Sequence, residues 1–466
     1  MHDTGQAIRR LMLGIGLGLA LTRGAVAQPT GCLVGVARLD ITPDYPIRLS
    51  GYGARRTEST GVEQRIWAKA LAIGDTADDV AVLLAVESCV VPASVTEKVA
   101  EHVERQAGVS RERFVLCCTH THTAPCLSGA LATIFGEPVP PEHQARIDRY
   151  TAWLIERLQQ VSMAALANRR PARLDWAQGK AGFAMNRRLA RPDGSIQMAP
   201  NPKGPVDHAV PVLRVTDAQG GLIALAANYA CHCTTLGSND MKICGDWAGY
   251  AQEFVERNHP GVLCLVTVGC GADANPEPRL KLEYAKQHGQ AVADEIDRLL
   301  AGKLSPVSGP PACRFERIEL PFEKIPDRQE WEKRARLQTP VGYHARLQLA
   351  RLDRGESLPT ELPYPVQTWA FGRELAMVFL GGEVVVDYSL RLKKQFDPDR
   401  LWVTAYANDV PCYIPSRRVL KEGGYEAADS MIYYDRPTRL GGEVEELIAA
   451  AVDRLMPKAF ASQPSE

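Results

Sequence analysis

The chain has 466 residues, of which 45% are hydrophobic and 23% charged, ordinary values for a globular protein. Its 54 basic and 55 acidic residues leave a formal net charge of −1. That balance excludes the electrostatic footprint of a nucleic-acid binder or of a protein held on an anionic membrane. The length admits two or three domains, or one large α/β unit.

The N-terminus reads as a targeting segment. Arg9-Arg10 precede an apolar run from Leu11 to Leu21 that is too short for a mature spanning helix. Ala25-Val26-Ala27 then offers a small-residue cleavage site, so residues 1–27 are expected to be a signal peptide. The mature protein is expected to be periplasmic or secreted. The arginine pair before Leu-Met-Leu fits a twin-arginine signal as well as a general secretory one. Pro29 argues against a lipobox at Cys32. No later segment has the length and apolarity to cross a membrane. Twelve cysteines in an exported chain permit disulfides, but the pairing cannot be deduced.

Residues 33–42 alternate and stop at Pro43, which predicts a strand and then a turn. Leu49-Ser50-Gly51-Tyr52-Gly53 is a glycine-rich loop. Residues 65–73 and 80–87 read as paired strands about the Gly74-Asp75 turn. Residues 92–106 form an amphipathic helix with Val95, Val99 and Val103 on one face. A buried strand at 113–116 runs into Cys117-Cys118-Thr119-His120-Thr121-His122-Thr123-Ala124-Pro125. Residues 144–168 are helical, with Trp153, Leu154 and Leu158 inward. Short strands near Leu174 and Ala181 precede Asn186-Arg187. Strands at 211–215 and 222–229 flank a Gly220-Gly221 hairpin, and the second leads into Cys231-His232-Cys233. A helix at 246–258, an apolar strand at 262–268 ending in Gly269–Pro276, and a helix at 284–301 follow. The charge-rich stretch 327–356 is expected to be a helical insertion or lid. A strand at 375–383, a helix to Phe396, a strand at 401–406 and a helix at 443–455 complete the chain. The pattern predicts a mixed α/β (α+β) fold, a large layered mixed sheet with flanking helices, as a single domain over 28–460.

Two histidines at i and i+2 on a strand face the same way. His120 and His122 would then suit a divalent metal, or one ligand and one proton donor. The plain alternative is a pair of satisfied surface histidines. Other strand ends carry His232, Asp273 with Asn275, Glu383, and Tyr413, and ligands in open α/β sheets collect beyond strand ends. Taken singly, His232 reads as a core or surface histidine, Glu383 as an acid at a helix N-terminus, and Tyr413 says little. If 231–233 is strand, His232 points away from both cysteines, which makes a Cys-His-Cys metal cluster poor geometry.

Together these stretches resemble the neutral ceramidases, zinc-dependent amidases that cleave the N-acyl bond of ceramide. The resemblance covers most of the mature chain. It runs through residues 34–42 and 61–68 and is most specific at Cys118-Thr119-His120-Thr121-His122-Thr123-Ala124-Pro125. It implies His120 as a zinc ligand and His122 as a group on the substrate oxygen. It further implies Arg187 at the substrate carbonyl, His232, Glu383 and Tyr413 as further Zn2+ ligands, and Tyr425 as a catalytic tyrosine. The family's Gly-Asp-x-Ser-Pro-Asn is here Gly271-Ala272-Asp273-Ala274-Asn275-Pro276, so Asn275 stands where the serine is expected. Asparagine donates hydrogen bonds but is neither nucleophile nor proton shuttle. On the same resemblance, the family's C-terminal immunoglobulin-like domain is not expected within these 466 residues.

The reading is an exported zinc hydrolase in which activated water attacks an amide or ester carbonyl of a small or lipid-like acyl substrate such as ceramide. His122, Arg187 and Tyr425, with help from Asn275, would stabilise the oxyanion. A non-catalytic ligand-binding homologue, disabled at Asn275, is the competing class. A third reading has a cysteine nucleophile, Cys126, Cys270 or Cys412, paired with His122. The oligomeric state is not legible.

Overall fold

In a computed structural model, residues 31–462 are described. The expected signal peptide, residues 1–27, lies outside them. Two sheets form the core. The first has nine strands, and its main path runs Leu263–Val268, Leu222–Tyr229, Ala209–Asp217, Arg170–Lys180, Cys32–Asp40, Trp67–Ile73, Ala81–Val86 and Phe114–Cys118. Ser305–Val307 joins it beside Arg170–Lys180. Pairing is antiparallel along the path except at its two ends. There 222–229 with 263–268 and 81–86 with 114–118 are parallel. The sheet curls, so that Lys69 Nζ donates to the Cys264 carbonyl of the far edge at 2.9 Å.

The second sheet contains Ala312–Pro321, Glu361–Phe371, Leu375–Leu380 and Leu401–Thr404, the last two parallel. Leu83, Val115 and Leu213 of the first sheet pack with Trp369, Met377, Phe379 and Trp402 of the second in one buried layer. The outer face of the first sheet is covered by helices, among them Ala93–Ala107 and Pro141–Ala167. Val444–Leu455 covers the second. This is the expected mixed α/β architecture, because strands such as Ala81–Val86, apolar on both faces, require cover on both sides.

Three expectations shift, and the helical one at 327–356 gains detail. Residues 170–180 form one long strand rather than short pieces near Leu174 and Ala181. Trp153 is only half-buried, with the Arg157 guanidinium over its ring at 5.0 Å. The 327–356 stretch is two helices, Arg328–Ala335 and Pro340–Asp353, around a small core of Trp331, Ala345 and Leu358. The strand before the paired histidines ends at Cys118, so the histidines are not on a strand.

Candidate active site

The carboxyl ends of the parallel strands meet at one place. The 114–118 strand delivers His120 and His122, 222–229 delivers His232, 263–268 leads to Asn275, and 375–380 leads to Glu383. A short parallel pair, Glu383–Val384 with Tyr413–Ile414, sets Glu383 beside Tyr413. Another, antiparallel, places Ala274–Pro276 on Ala184–Asn186 and so brings Arg187 to Asn275.

His120 and His122 converge by a route other than strand alternation. His120 takes φ +59, a left-handed conformation. Thr121 bridges to Cys233, and the His122 N–H donates to the Cys233 carbonyl at 3.2 Å. The turn swings both imidazoles inward, with Nε2 atoms 3.0 Å apart. The strand carrying His232 also ends early, at Tyr229, which leaves His232 free to face the site while Cys231 and Cys233 pack in the core.

Glu383 Oε2 lies 3.1 Å from His120 Nε2 and 3.0 Å from His232 Nε2. All three residues are buried, and their ligating atoms lie close enough to share one cation. The outer ring nitrogens are committed. His120 Nδ1 donates to the Cys89 carbonyl at 2.6 Å and His232 Nδ1 to that of Gly271 at 2.8 Å. A carbonyl only accepts, so each Nδ1 carries a proton and, in the neutral ring, each Nε2 aims a lone pair inward. Glu383 Oε2 is buried without a hydrogen-bond donor. Inward lone pairs around an orphaned carboxylate oxygen are the donor set of a cation, and carbonyl-tethered histidines are its usual support. Tyr413 Oη lies 3.3 Å from His232 Nε2. Cys89 Sγ is 4.0 Å from His120 Nδ1, on the protonated side of that ring, and so is not placed as a co-ligand.

Electrostatics agree with a centre short of positive charge. Burial lowers His120, but the Glu383 carboxylate more than reverses this and raises it to about 10, so with no cation present Nε2 holds a proton towards Glu383, and a bound cation would take that proton's place and use the lone pair. His232 falls to about 4 through burial and then the Arg187 charge. Burial, followed by its histidine neighbours, holds His122 well below the usual range. His122 and His232 are therefore neutral imidazoles near pH 7.

The rest of the expected set is present. Arg187 donates from Nε to Glu426 at 2.8 Å, from Nη1 to Asn275 Oδ1 at 3.1 Å and from Nη2 to Tyr413 Oη at 2.9 Å. Asn275 Oδ1 also accepts from Thr234 Oγ1 at 3.1 Å. The rings of Tyr413 and Tyr425 meet edge-on at 5.4 Å. A cavity of about 460 Å³ is lined by His122, Arg187, Asn275, Tyr413 and Tyr425. All eight residues singled out in the sequence thus come together. Several partners escaped the sequence: Tyr434, whose hydroxyl donates to Glu383 Oε1; Glu426, which anchors Arg187; and Tyr406, stacked on His120 at 4.5 Å. Glycine spacing signals Gly51 alone: a Cβ there would stand 2.4 Å from the His122 ring.

The twelve cysteines are all free, and eleven are buried. Burial pushes the Cys126 and Cys412 thiols up to about 12 and raises Cys270 as well. Protonated, buried thiols do not act as nucleophiles, so the cysteine reading is set aside.

Fold and site define a layered α/β protein with a His/His/Glu group able to hold a cation, opening on a cavity of arginine, tyrosine and imidazole. The family described as neutral/alkaline non-lysosomal ceramidase, N-terminal, matches residues 32–265, half of the chain, and the protein belongs to that family. Neutral ceramidase A of Dictyostelium discoideum is 24% identical over 245 residues, which are 51% of this chain and 33% of that protein. Neutral ceramidase B of the same organism is 24% identical over 239 residues, 49% of this chain and 32% of its own. The alignment thus spans about a third of these curated relatives. The crystal structure of neutral ceramidase from Pseudomonas aeruginosa superposes with a TM-score of 0.70 at 19% identity, over 94% of this chain and 77% of that one. Among the described residues no helix is long and apolar enough to cross a membrane.

Proposed function

We propose that this protein is a zinc-dependent hydrolase of the amide bond of an N-acyl lipid, ceramide-like in its acyl amide. One observation carries the reading: inward Nε2 lone pairs of His120 and His232 meet the orphaned Oε2 of Glu383 beside the cavity lined by His122 and Arg187. His120, His232 and Glu383, with Tyr413, are the residues to hold zinc. Bound there, zinc supplies Lewis acidity and brings the pKa of water towards neutrality.

The chain's own groups handle the substrate. Arg187 has five N–H donors and uses three on Glu426, Asn275 and Tyr413, which leaves donors for a carbonyl oxygen that gains negative charge. His122, a neutral imidazole on the cavity wall, is suited to accept or return a proton. Burial, with Glu383 next, raises the Tyr425 phenol, so it stays protonated and able to donate. Asn275 turns Oδ1 to Arg187 and Thr234, so its amide N–H2 remains as a donor. The asparagine is therefore built into the polar array, which weakens the case for a homologue disabled there.

The test is zinc content of the purified protein together with a panel of N-acyl and O-acyl substrates, ceramide included, assayed with zinc and with chelator. Wild type is expected to hold zinc near one per chain, and His120→Ala to lose both metal and activity. A metal-free wild type that takes up no zinc on reconstitution sinks the proposal, as does hydrolysis indifferent to chelator. Export of the chain by its Arg9–Ala27 segment is part of the same proposal. Replacement of Arg9 and Arg10 by lysine is expected to block it if the twin-arginine route is used.

A further inference from the structure

Three arginines line the cavity and no carboxylate does. Two of the three are neutralised. Arg187 pairs with Glu426 at 2.8 Å, and Arg56 with Glu137 at 2.8 Å. Arg279 forms no ion pair among the described residues. Its Nη2 donates to Tyr52 Oη at 3.1 Å, and its Nε is buried with no partner. The Tyr52 hydroxyl in turn donates to the Leu236 carbonyl at 2.8 Å. Burial, the largest influence, pushes that phenol up to about 12, so no phenolate balances the guanidinium.

Arg279 is also close to the chemistry and firmly placed. The Tyr52 ring sits edge-on to His122, centroids 4.9 Å apart, so one ring separates the guanidinium from the imidazole. The loop that carries it is tied on both sides. His288 Nε2 donates to the Pro278 carbonyl at 2.7 Å, and the Leu280 N–H donates to that of Thr235 at 2.6 Å. Leu280 takes φ +73, a left-handed backbone a leucine rarely adopts, and is 65% exposed. A buried donor without a partner costs free energy, and a planar fork of N–H groups matches an oxyanion.

We propose that the cavity takes an acyl compound bearing an anionic group, a carboxylate or a phosphate, and that Arg279 is the residue that selects it. This rests on the cavity being the acyl site described above. Ceramide is neutral, so the inference separates this chain's substrate from ceramide itself while keeping the N-acyl bond.

Binding calorimetry on the zinc-loaded full chain tests it without relying on turnover. The probes are non-hydrolysable sulfonamides with one dodecyl chain. One ends in the carboxylate of glycine, one in ethanolamine phosphate and one in neutral ethanolamine. Wild type is expected to bind at least one anionic probe about 10-fold or more tighter than the neutral one, the scale of a charge-assisted bidentate contact. The two anionic arms distinguish carboxylate from phosphate. Arg279→Gln keeps a donor for Tyr52 but removes the charge, and is expected to abolish the preference. Equal or tighter binding of the neutral probe by wild type overturns the proposal, and so does a preference that survives Arg279→Gln. Should that variant not fold, the wild-type ratio and its fall with added salt decide. Loss of the hydrolase reading would appear in zinc content and hydrolysis, which these affinities do not use.

Discussion

His120 sits in a left-handed conformation, about 1–2 kcal/mol costlier than ordinary helix or strand for a residue with a side chain. Its neighbours Tyr406 (φ +55) and Asn408 (φ +64) share it. Backbone held this way next to functional groups is strain that surrounding contacts maintain. Here the hydrogen bonds from Cys118 N to the Tyr406 carbonyl and from Asn408 N to that of Leu116 do so. The family resemblance points to His120, His122, His232, Glu383 and Tyr413, but the backbone that joins them differs from the expected strand. A turn, and not alternation along a strand, brings the two imidazoles together. Tyr434 carried no signal, since a tyrosine inside a 3-10 turn looks like core. Its hydroxyl donates to Glu383 Oε1, so Tyr434→Phe is expected to weaken zinc affinity about 10- to 100-fold, read by competition with a chelator. Gly51→Ala would drive a Cβ to 2.4 Å from the His122 ring at a φ of +90. A folded protein with kcat/KM down by about 100-fold or more is expected, because displacing a reacting group by an ångström has that effect. Wild-type rates in that variant would refute the placement of His122.

At the scale of elements, long apolar runs were readable and two- or three-residue pairings were not. Leu263–Val268 and Asp246–Asn258 lie almost where their patterns put them, since burial on both faces or on one stripe imposes a period. Glu383–Val384 with Tyr413–Ile414 has no period to detect, yet it sets the spacing of the site. The helical insertion keeps its own small core. Trp331 is fully buried, but its neighbours there are Ala345 and Leu358 rather than the main sheets. Trp331→Ala is expected to cost about 3–5 kcal/mol locally. Hydrogen exchange should then speed up across 328–353 while the 222–229 strand stays protected. Because Pro340 lines the cavity, substrate affinity should fall with it.

For the whole molecule, the buried joint at Glu87 sets a pH dependence. Its carboxylate accepts from Trp67 N at 2.7 Å and from Gln252 Nε2 at 2.6 Å, linking a strand to a helix. Burial, partly offset by Lys69, raises it from 4.5 to about 7. Between those values the folded protein keeps a proton that the unfolded chain has released. Its stabilising contribution is complete below about 4.5 and is lost as pH rises through about 7. Glu87→Gln is expected to flatten that slope and to stabilise the protein at pH 8 by roughly 1–3 kcal/mol, measured by denaturant unfolding across pH. A steeper slope in the variant would contradict the assignment. The buried thiols bear on the whole molecule in a different way. Eleven of the twelve are closed to solvent: Cys32, Cys117, Cys118 and Cys264 on strands of the first sheet, and the other seven in the connections between elements, as far along as Cys412. In the folded state a thiol reagent should find little beyond half-buried Cys313. Every further label then marks an opening of the strand or connection that carries it, so the native cysteines are built-in clocks for local unfolding, and one cysteine engineered onto the surface would take a dye almost alone.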